Sequence, residues 1–274
     1  MKNLERKLIK RRDALLQCYD EEHLHQLRIN LRRMRSRLKQ QSGKKIRNLR
    51  RDLGLLAETT NAARDWDTLV LRARNILPEE QFEYLLPRLE HYQYAAHQQV
   101  LVMLESREWM SAIKRWRQFL DEERREQAEV EDDRGRDLSK ILRQVSSARL
   151  KALSQNDEKR WHKLRIAVKE LRYALDATPK KKRTKSAAKT IELCKALQED
   201  LGEWHDTVVH GQLLLELADS LDPVSQPAVA DALDILRTSI AQRGRDKLER
   251  VTLTLQKPKT GKALSPVNPA PPAQ

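Results

Sequence analysis

Two groups of residues in this chain have the types and the spacing to hold an anion. His25, Arg28, Arg32 and Arg35 recur as His162, Arg165, Lys169 and Arg172, each group stepping by three or four positions. Wound at about 100° per residue, such steps place four side chains on one stripe of a helix, one turn recurring every ~5 Å. Guanidinium groups present a planar fork of donors that matches phosphate oxygens. The chemistry this ladder suits is recognition of a linear polyanion. A helix face that borders its apolar stripe normally mixes its charges. One such face could be a solvated basic surface, but the same four polar positions kept twice ask for an anionic partner.

The histidines need a separate argument. Beside several cations an imidazole resists protonation, and a bound polyanion would favour the charged ring and recruit it as a further donor. The competing role is structural, a ring hydrogen-bonded to a backbone carbonyl between helices. His25 and His162 could also accept a phosphoryl group, or join Asp65, Asp67 and Asp206 around a divalent metal. No HExxH, Gly-rich phosphate loop or dense carboxylate cluster supports catalysis. The expectation is a binding protein with no catalytic residue, metal or cofactor. Nucleic-acid binding shares the electrostatics, but a helix-turn-helix, an RNA-recognition signature and zinc spacing are all missing from the sequence.

The elements that must position these residues are repeated with them. HQLRINLRRMRSRL, His25 to Leu38, returns 137 positions later as HKLRIAVKELRYAL, His162 to Leu175, with six of fourteen positions identical. A repeat of this length marks a duplicated structural unit. Leu24, Leu27, Leu31, Met34 and Leu38 form an apolar stripe beside the first ladder, and Leu164, Val168, Leu171 and Leu175 beside the second. The helix after Ser42-Gly43 adds Lys44, Arg47 and Arg51 next to Ile46, Leu49, Leu53 and Leu56, and no acidic residue occurs from His23 to Arg51.

Composition sets the class around this pair. Charged residues make up 34% of the 274 positions, with 54 Lys and Arg over 40 Asp and Glu, a net charge of +14; such an excess attracts polyanions. Seven glycines and long Leu/Arg/Glu/Gln-rich periodic stretches exclude a sheet protein, which needs turn residues every few positions. The fold class is all-α. Cys18 and Cys194, both in helical context, are expected as two buried, reduced thiols. No apolar run approaches the ~18 residues of a membrane span, and the basic N-terminus lacks the apolar stretch of a signal peptide. A cytoplasmic protein is expected.

Further elements follow from caps and breakers. A first amphipathic helix over 2–18 turns Leu4, Leu8, Leu15 and Leu16 to the core, and Asp20 caps the next. Pro78 opens a long helix that Pro87 kinks or splits, and Ser106 caps another whose Trp109, Ile113, Trp116 and Leu120 are spaced for a core rather than for base stacking. The acidic stretch 121–133 bridges two halves, Gly135 marks a turn and Asp137 a cap, Asn156 or Asp157 caps the second motif helix, and Pro179 ends it. The lysine-rich stretch PKKKRTKSAAK then stands where Ser42-Gly43-Lys44-Lys45 stood, and at an offset of 141 Arg64-Asp65 is answered by His205-Asp206. Asp222 with Pro223 opens a last helix to near Leu255, and 257–274, holding half of the prolines, is expected as a disordered tail.

The paired His-x-Leu-Arg motif, each copy leading a basic helix, resembles the CHAD family, the conserved-histidine α-helical domains. The resemblance spans nearly all of the chain. It implies one domain over 1–256, built from two four-helix-bundle-like halves, about 1–128 and 129–256, related by pseudo-twofold symmetry, with a basic central cavity that binds inorganic polyphosphate. Carried over by position, the binding residues are His25, Arg28, Arg32, Arg35, Lys44, Arg47 and Arg51, and His162, Arg165, Lys169, Arg172, Lys185 and Lys189. Glu170 in place of Arg33, and His205 in place of Arg64, leave the second half less positive. The resemblance also suggests association with polyphosphate granules and their proteins.

Overall fold

Leu8 and Leu15 lie two turns apart and are both buried, because the first helix, α1 (Lys2–Gln17), turns that side to α2 (Glu21–Leu38). The computed structural model describes residues 2–39, 41–126, 138–176, 183–222 and 224–265, and no strand occurs among them. The remaining helices are α3 (Lys44–Thr59), α4 (Asn61–Ile76), α5 (Glu79–Glu105), α6 (Arg107–Glu126), α7 (Leu138–Gln155), α8 (Glu158–Asp176), α9 (Lys185–Asp219), α10 (Pro227–Gln256) and α11 (Pro258–Ala263). Their boundaries follow the local chemistry. Asp20 accepts from the His23 N–H at 2.8 Å, Ser106 from Trp109 at 3.1 Å and Asp157 from Arg160 at 2.9 Å, each satisfying one orphan donor of a helix start. Gly43 takes a φ of 124° just before α3, a conformation that side chains with a Cβ rarely adopt. Pro87 neither splits nor ends α5, which runs through it.

The chain divides into two units. One comprises Met1–Asp132 with Leu213–Leu236, the other Asp133–Gln212 with Arg237–Gln274. The first boundary falls at 132/133, and both later boundaries fall inside helices, α9 and α10. At 1.5 Å per residue, helices of 35 and 30 residues run about 52 and 45 Å, more than one small unit can cover.

In the first unit the motif helix buries Leu24, Leu27, Leu31, Met34 and Leu38, facing Leu49, Leu53 and Leu56 of α3. Trp109, Ile113, Trp116 and Leu120 of α6 are buried as the spacing predicts. In the second unit Trp161, Leu164, Val168, Leu171 and Leu175 of α8 pack with Ile191, Cys194, Leu197 and Leu201 of α9. Each such side chain contributes about 1.5–3 kcal/mol on leaving water. α10 lies close on α9: a Cβ at Gly244 would stand 2.6 Å from the Thr207 hydroxyl.

Three further expectations change. Cys18 is exposed, because α1 ends at Gln17, whereas Cys194 is buried; both are free thiols. Asp222 accepts from the Val224 N–H and the Ser225 hydroxyl, so it closes a turn, and α10 begins four residues after Pro223. The tail expected from 257 instead continues as α11, with Thr260 and Leu264 buried and Leu264 inside the second unit's core. Gly135, Asp137, Pro179 and residues 266–274 lie outside the described residues.

Candidate anion-binding site

In the first unit, the leucine stripe that seats α2 against α3 fixes where its polar stripe goes. Arg28 lies over the junction of α3 and α4, where its Nη1 donates to the Thr60 hydroxyl at 2.6 Å and to the Asn61 side-chain oxygen at 2.9 Å. Arg35 lies flat on α3, its guanidinium 3.5 Å from where a Gly54 Cβ would be. Its Nε is buried without a hydrogen-bond partner among the described residues. Between them Arg32 stands exposed, and Lys44 and Arg47 project from the start of α3. Arg51 leans towards Asp52, Nε to Oδ1 3.4 Å, so part of its charge is answered within the protein.

The electrostatics report which groups gather round His25. Burial lowers its pKa first, then the Arg64 guanidinium, with Arg32 and Arg28 adding and Glu22 opposing. Burial likewise lowers Arg28; Asp65 opposes that, while Arg64 and Arg32 reinforce it. Arg64 therefore belongs to this face although the motif does not contain it. From Lys44 to Thr60 the basic tract is about 24 Å long at 1.5 Å per residue, a length suited to a chain rather than to one phosphate.

The second unit builds its own version. His162 on α8 and His205 on α9 bring their rings to 5.0 Å between centroids. Burial lowers His162, followed by Arg165 and Lys169. His205 is pulled down to about 4 by burial, then by Arg165, His162 and Lys169, and its buried Nδ1 has no hydrogen-bond partner among the described residues. Arg165 is itself lowered by burial and supported by Asp206. Arg172 is more committed: it donates to Gln198 at 2.6 Å and to Asp176 at 3.1 Å, and lies 4.6 Å over the Tyr173 ring. Asp176 also pairs with Arg183. Lys185 and Lys189 are exposed on the first turns of α9, and Lys185 lies about 30 Å along that helix from His205.

The two faces thus share a plan and differ in one part. α9 runs unbroken through the positions that correspond to α3, Thr60 and α4, so Arg165 has Asp206 as Arg28 has Asp65, but the hydroxyl and amide of Thr60 and Asn61 that Arg28 also bonds are replaced by Leu201 and Gly202. Arg64 and His205 both belong to their faces, and the signal for them was the Arg-Asp/His-Asp match at offset 141. Gln198, Thr60 and Asn61 had no signal, being neutral residues without a counterpart in the repeat.

The metal alternative loses one of its donors to structure. Asp67 is fully buried and accepts from Tyr19 at 2.9 Å and Gln93 at 3.0 Å, with His97 Nε2 at 2.7 Å. Tyr19 stacks on His97 at 3.5 Å, and burial with the Asp67 charge raises its phenol pKa. Asp67 therefore ties α4 to α5 and to the α1–α2 corner. No group of three potential ligands that could hold a metal occurs among the described residues.

A family model described as CHAD domain matches residues 3–215. The crystal structure of the CHAD domain from the plant Ricinus communis aligns with a TM-score of 0.68 at 24% identity, covering 93% of this chain and 88% of that one. No curated protein matches the sequence. No helix among the described residues is long and apolar enough to cross a membrane.

Proposed function

The chain belongs to the CHAD-domain family, and we propose that its two motif faces bind inorganic polyphosphate without consuming it. The observation that supports this most is the duplicated cationic stripe around a histidine whose pKa burial and its neighbours lower in each unit. Cations gathered without enough carboxylates to neutralise them repel one another, and a chain of phosphates relieves that repulsion while offering acceptors at every step. The length of each tract favours a polymer. Binding rather than turnover fits the residues: no Ser, Cys or Thr nucleophile is bonded to a histidine in either face among the described residues, as the usual activation of a nucleophile needs. A protein that holds long phosphate chains would travel with polyphosphate granules and their other proteins.

Titration of long-chain polyphosphate against single-stranded DNA of matched charge, followed by calorimetry, tests the assignment. Tighter binding of polyphosphate with no orthophosphate released supports it. Preference for DNA replaces it with nucleic-acid binding, and phosphate release or acid-labile phosphate on His25 or His162 replaces it with catalysis.

A further inference from the structure

Within the second unit, α7 and α8 enclose a groove of about 430 Å3 whose lining includes Lys140, Arg143, Lys151, Arg160 and Lys163, with Ser147 between them and no carboxylate among the described residues. On α7 the contributing positions 140, 143, 147 and 151 step by three or four, so they form one stripe about 16 Å long. On α8, Arg160 and Lys163 lie on one flank of the Leu164–Val168–Leu171 stripe. His162, Arg165 and Lys169 lie on the other, roughly 160° away around the helix. The groove and the motif face are therefore two cationic surfaces separated by the core of their own unit.

The duplication does not account for this groove. Carried back 137 positions, Lys140, Lys151, Arg160 and Lys163 fall on Asn3, Ala14, His23 and Gln26. The last two are engaged locally, His23 with Asp20 at 3.0 Å and Gln26 with Glu22 at 2.7 Å. Arg143 falls on Arg6 and so keeps a charged counterpart, and the other four cations of the cluster are additions to the shared plan. Among its members Arg160 has Asp157 at 3.5 Å and Lys140 is also engaged, so the positive charge of the groove rests on Arg143, Lys151 and Lys163. A concave wall of one sign focuses its field on an anion entering it, and the Ser147 hydroxyl adds a neutral donor to the lysine and arginine donors.

We propose that the α7–α8 groove is a second, separate anion site that holds a segment of a phosphate chain. The inference rests on the polyphosphate reading for its ligand class and on this groove alone for its place. One background variant carries Arg32→Glu and Lys169→Glu, which weaken both motif faces. Two groove sets are then made in it, Arg143→Glu with Lys151→Glu and Lys163→Glu, and the same three positions changed to Gln; each has a charge-matched control in which Lys257, Lys259 and Lys262 are changed to the same residue. Circular dichroism selects the groove set that keeps the parent's helix content and melting temperature.

Binding of long-chain polyphosphate and of tripolyphosphate is read by calorimetry at low salt. The groove variant is expected to lose at least tenfold of the residual affinity, and the control less than threefold. Residual binding indifferent to the groove charges overturns the groove and leaves the motif reading standing. Equal losses from groove and control overturn it too, since attraction would then follow net charge. Binding that needs the groove and ignores the motif faces supports the groove and overturns the motif reading. Capture of single-stranded DNA in preference to either phosphate chain overturns the assigned ligand.

Discussion

Protons should be taken up when the ligand binds, and His205 sets how many. In the free protein its imidazole stands at about 4 against an ordinary 6.5, because burial and the Arg165, His162 and Lys169 charges all disfavour a further positive charge. A phosphate chain laid over those cations reverses the field. If it restores His205 to about 6.5, linkage makes binding about tenfold tighter at pH 5.5 than at pH 8, close to 1.4 kcal/mol. Partial restoration gives proportionally less, and His162, lowered for the same reasons, adds in the same direction. The free protein moves the other way. A histidine with a depressed folded pKa binds fewer protons than the unfolded chain, so stability falls as pH drops from about 6.5 towards about 4. Calorimetry at pH 5.5 in buffers of different ionisation enthalpy counts the protons, and His205→Gln removes the titrating ring. Wild-type protein should take up close to one proton more than the variant. No uptake, or a pH dependence identical in His205→Gln, would refute the argument.

Arg32 and Arg33 are adjacent and both exposed, but only Arg32 is on the motif stripe; Arg32→Glu should weaken polyphosphate binding about 10-fold or more, at ~1.5–3 kcal/mol per charged hydrogen bond, and Arg33→Glu much less, so equal losses in titration would remove the site. Log affinity should fall against log salt with a slope near −0.7 per phosphate contact, if single strands are a guide; a total slope of only one or two contacts would show that the ladders are not engaged. Arg37 donates to both oxygens of nearly buried Glu123 at 2.7 Å, so Arg37→Ala should lower the melting temperature by leaving a buried carboxylate without its main partner, while binding in the folded fraction stays near wild type. Gly244→Ala should also cost stability, since its Cβ meets Thr207; an unchanged unfolding midpoint in urea would mean that α9 and α10 can move apart.

The motif helices were legible because one heptad-like stripe fixed two things together, the buried leucines and the cations beside them. Duplication supplied a second reading of the same code, and the family match followed from it. What could not be read was which cations are already used. Arg28, Arg35 and Arg172 look alike in sequence, yet the first is anchored to Thr60 and Asn61, the second lies on Gly54, and the third is held by Gln198 and Asp176. Asp176 is only four positions from Arg172, but Gln198, Thr60 and Asn61 sit 26, 32 and 33 positions from their arginines and reveal themselves only through packing. Arg37, two residues past the ladder's last member Arg35, is a structural group through its bond to Glu123 on α6. That α9 and α10 each contribute to both units could not be read either. Helix length is readable, but nothing local in α9 or α10 says that one helix serves two units. The start of a tail at residue 257 was inferred from prolines, and Leu264 overrode them by entering the core.

The unequal fates of the two cysteines give the molecule a built-in attachment point. Cys194 is sealed in the second unit's core, with its thiol pushed up to about 12, so it stays protonated and out of reach of alkylating reagents while the fold is intact. Cys18 is in the open between α1 and the capping Asp20, next to the tyrosine that bonds Asp67. A maleimide dye should therefore load at a single position on the unaltered chain, seven residues ahead of His25. A second equivalent of dye should enter only as the protein unfolds, so the same reagent that marks the corner of the motif helix also counts how often the second unit's core opens.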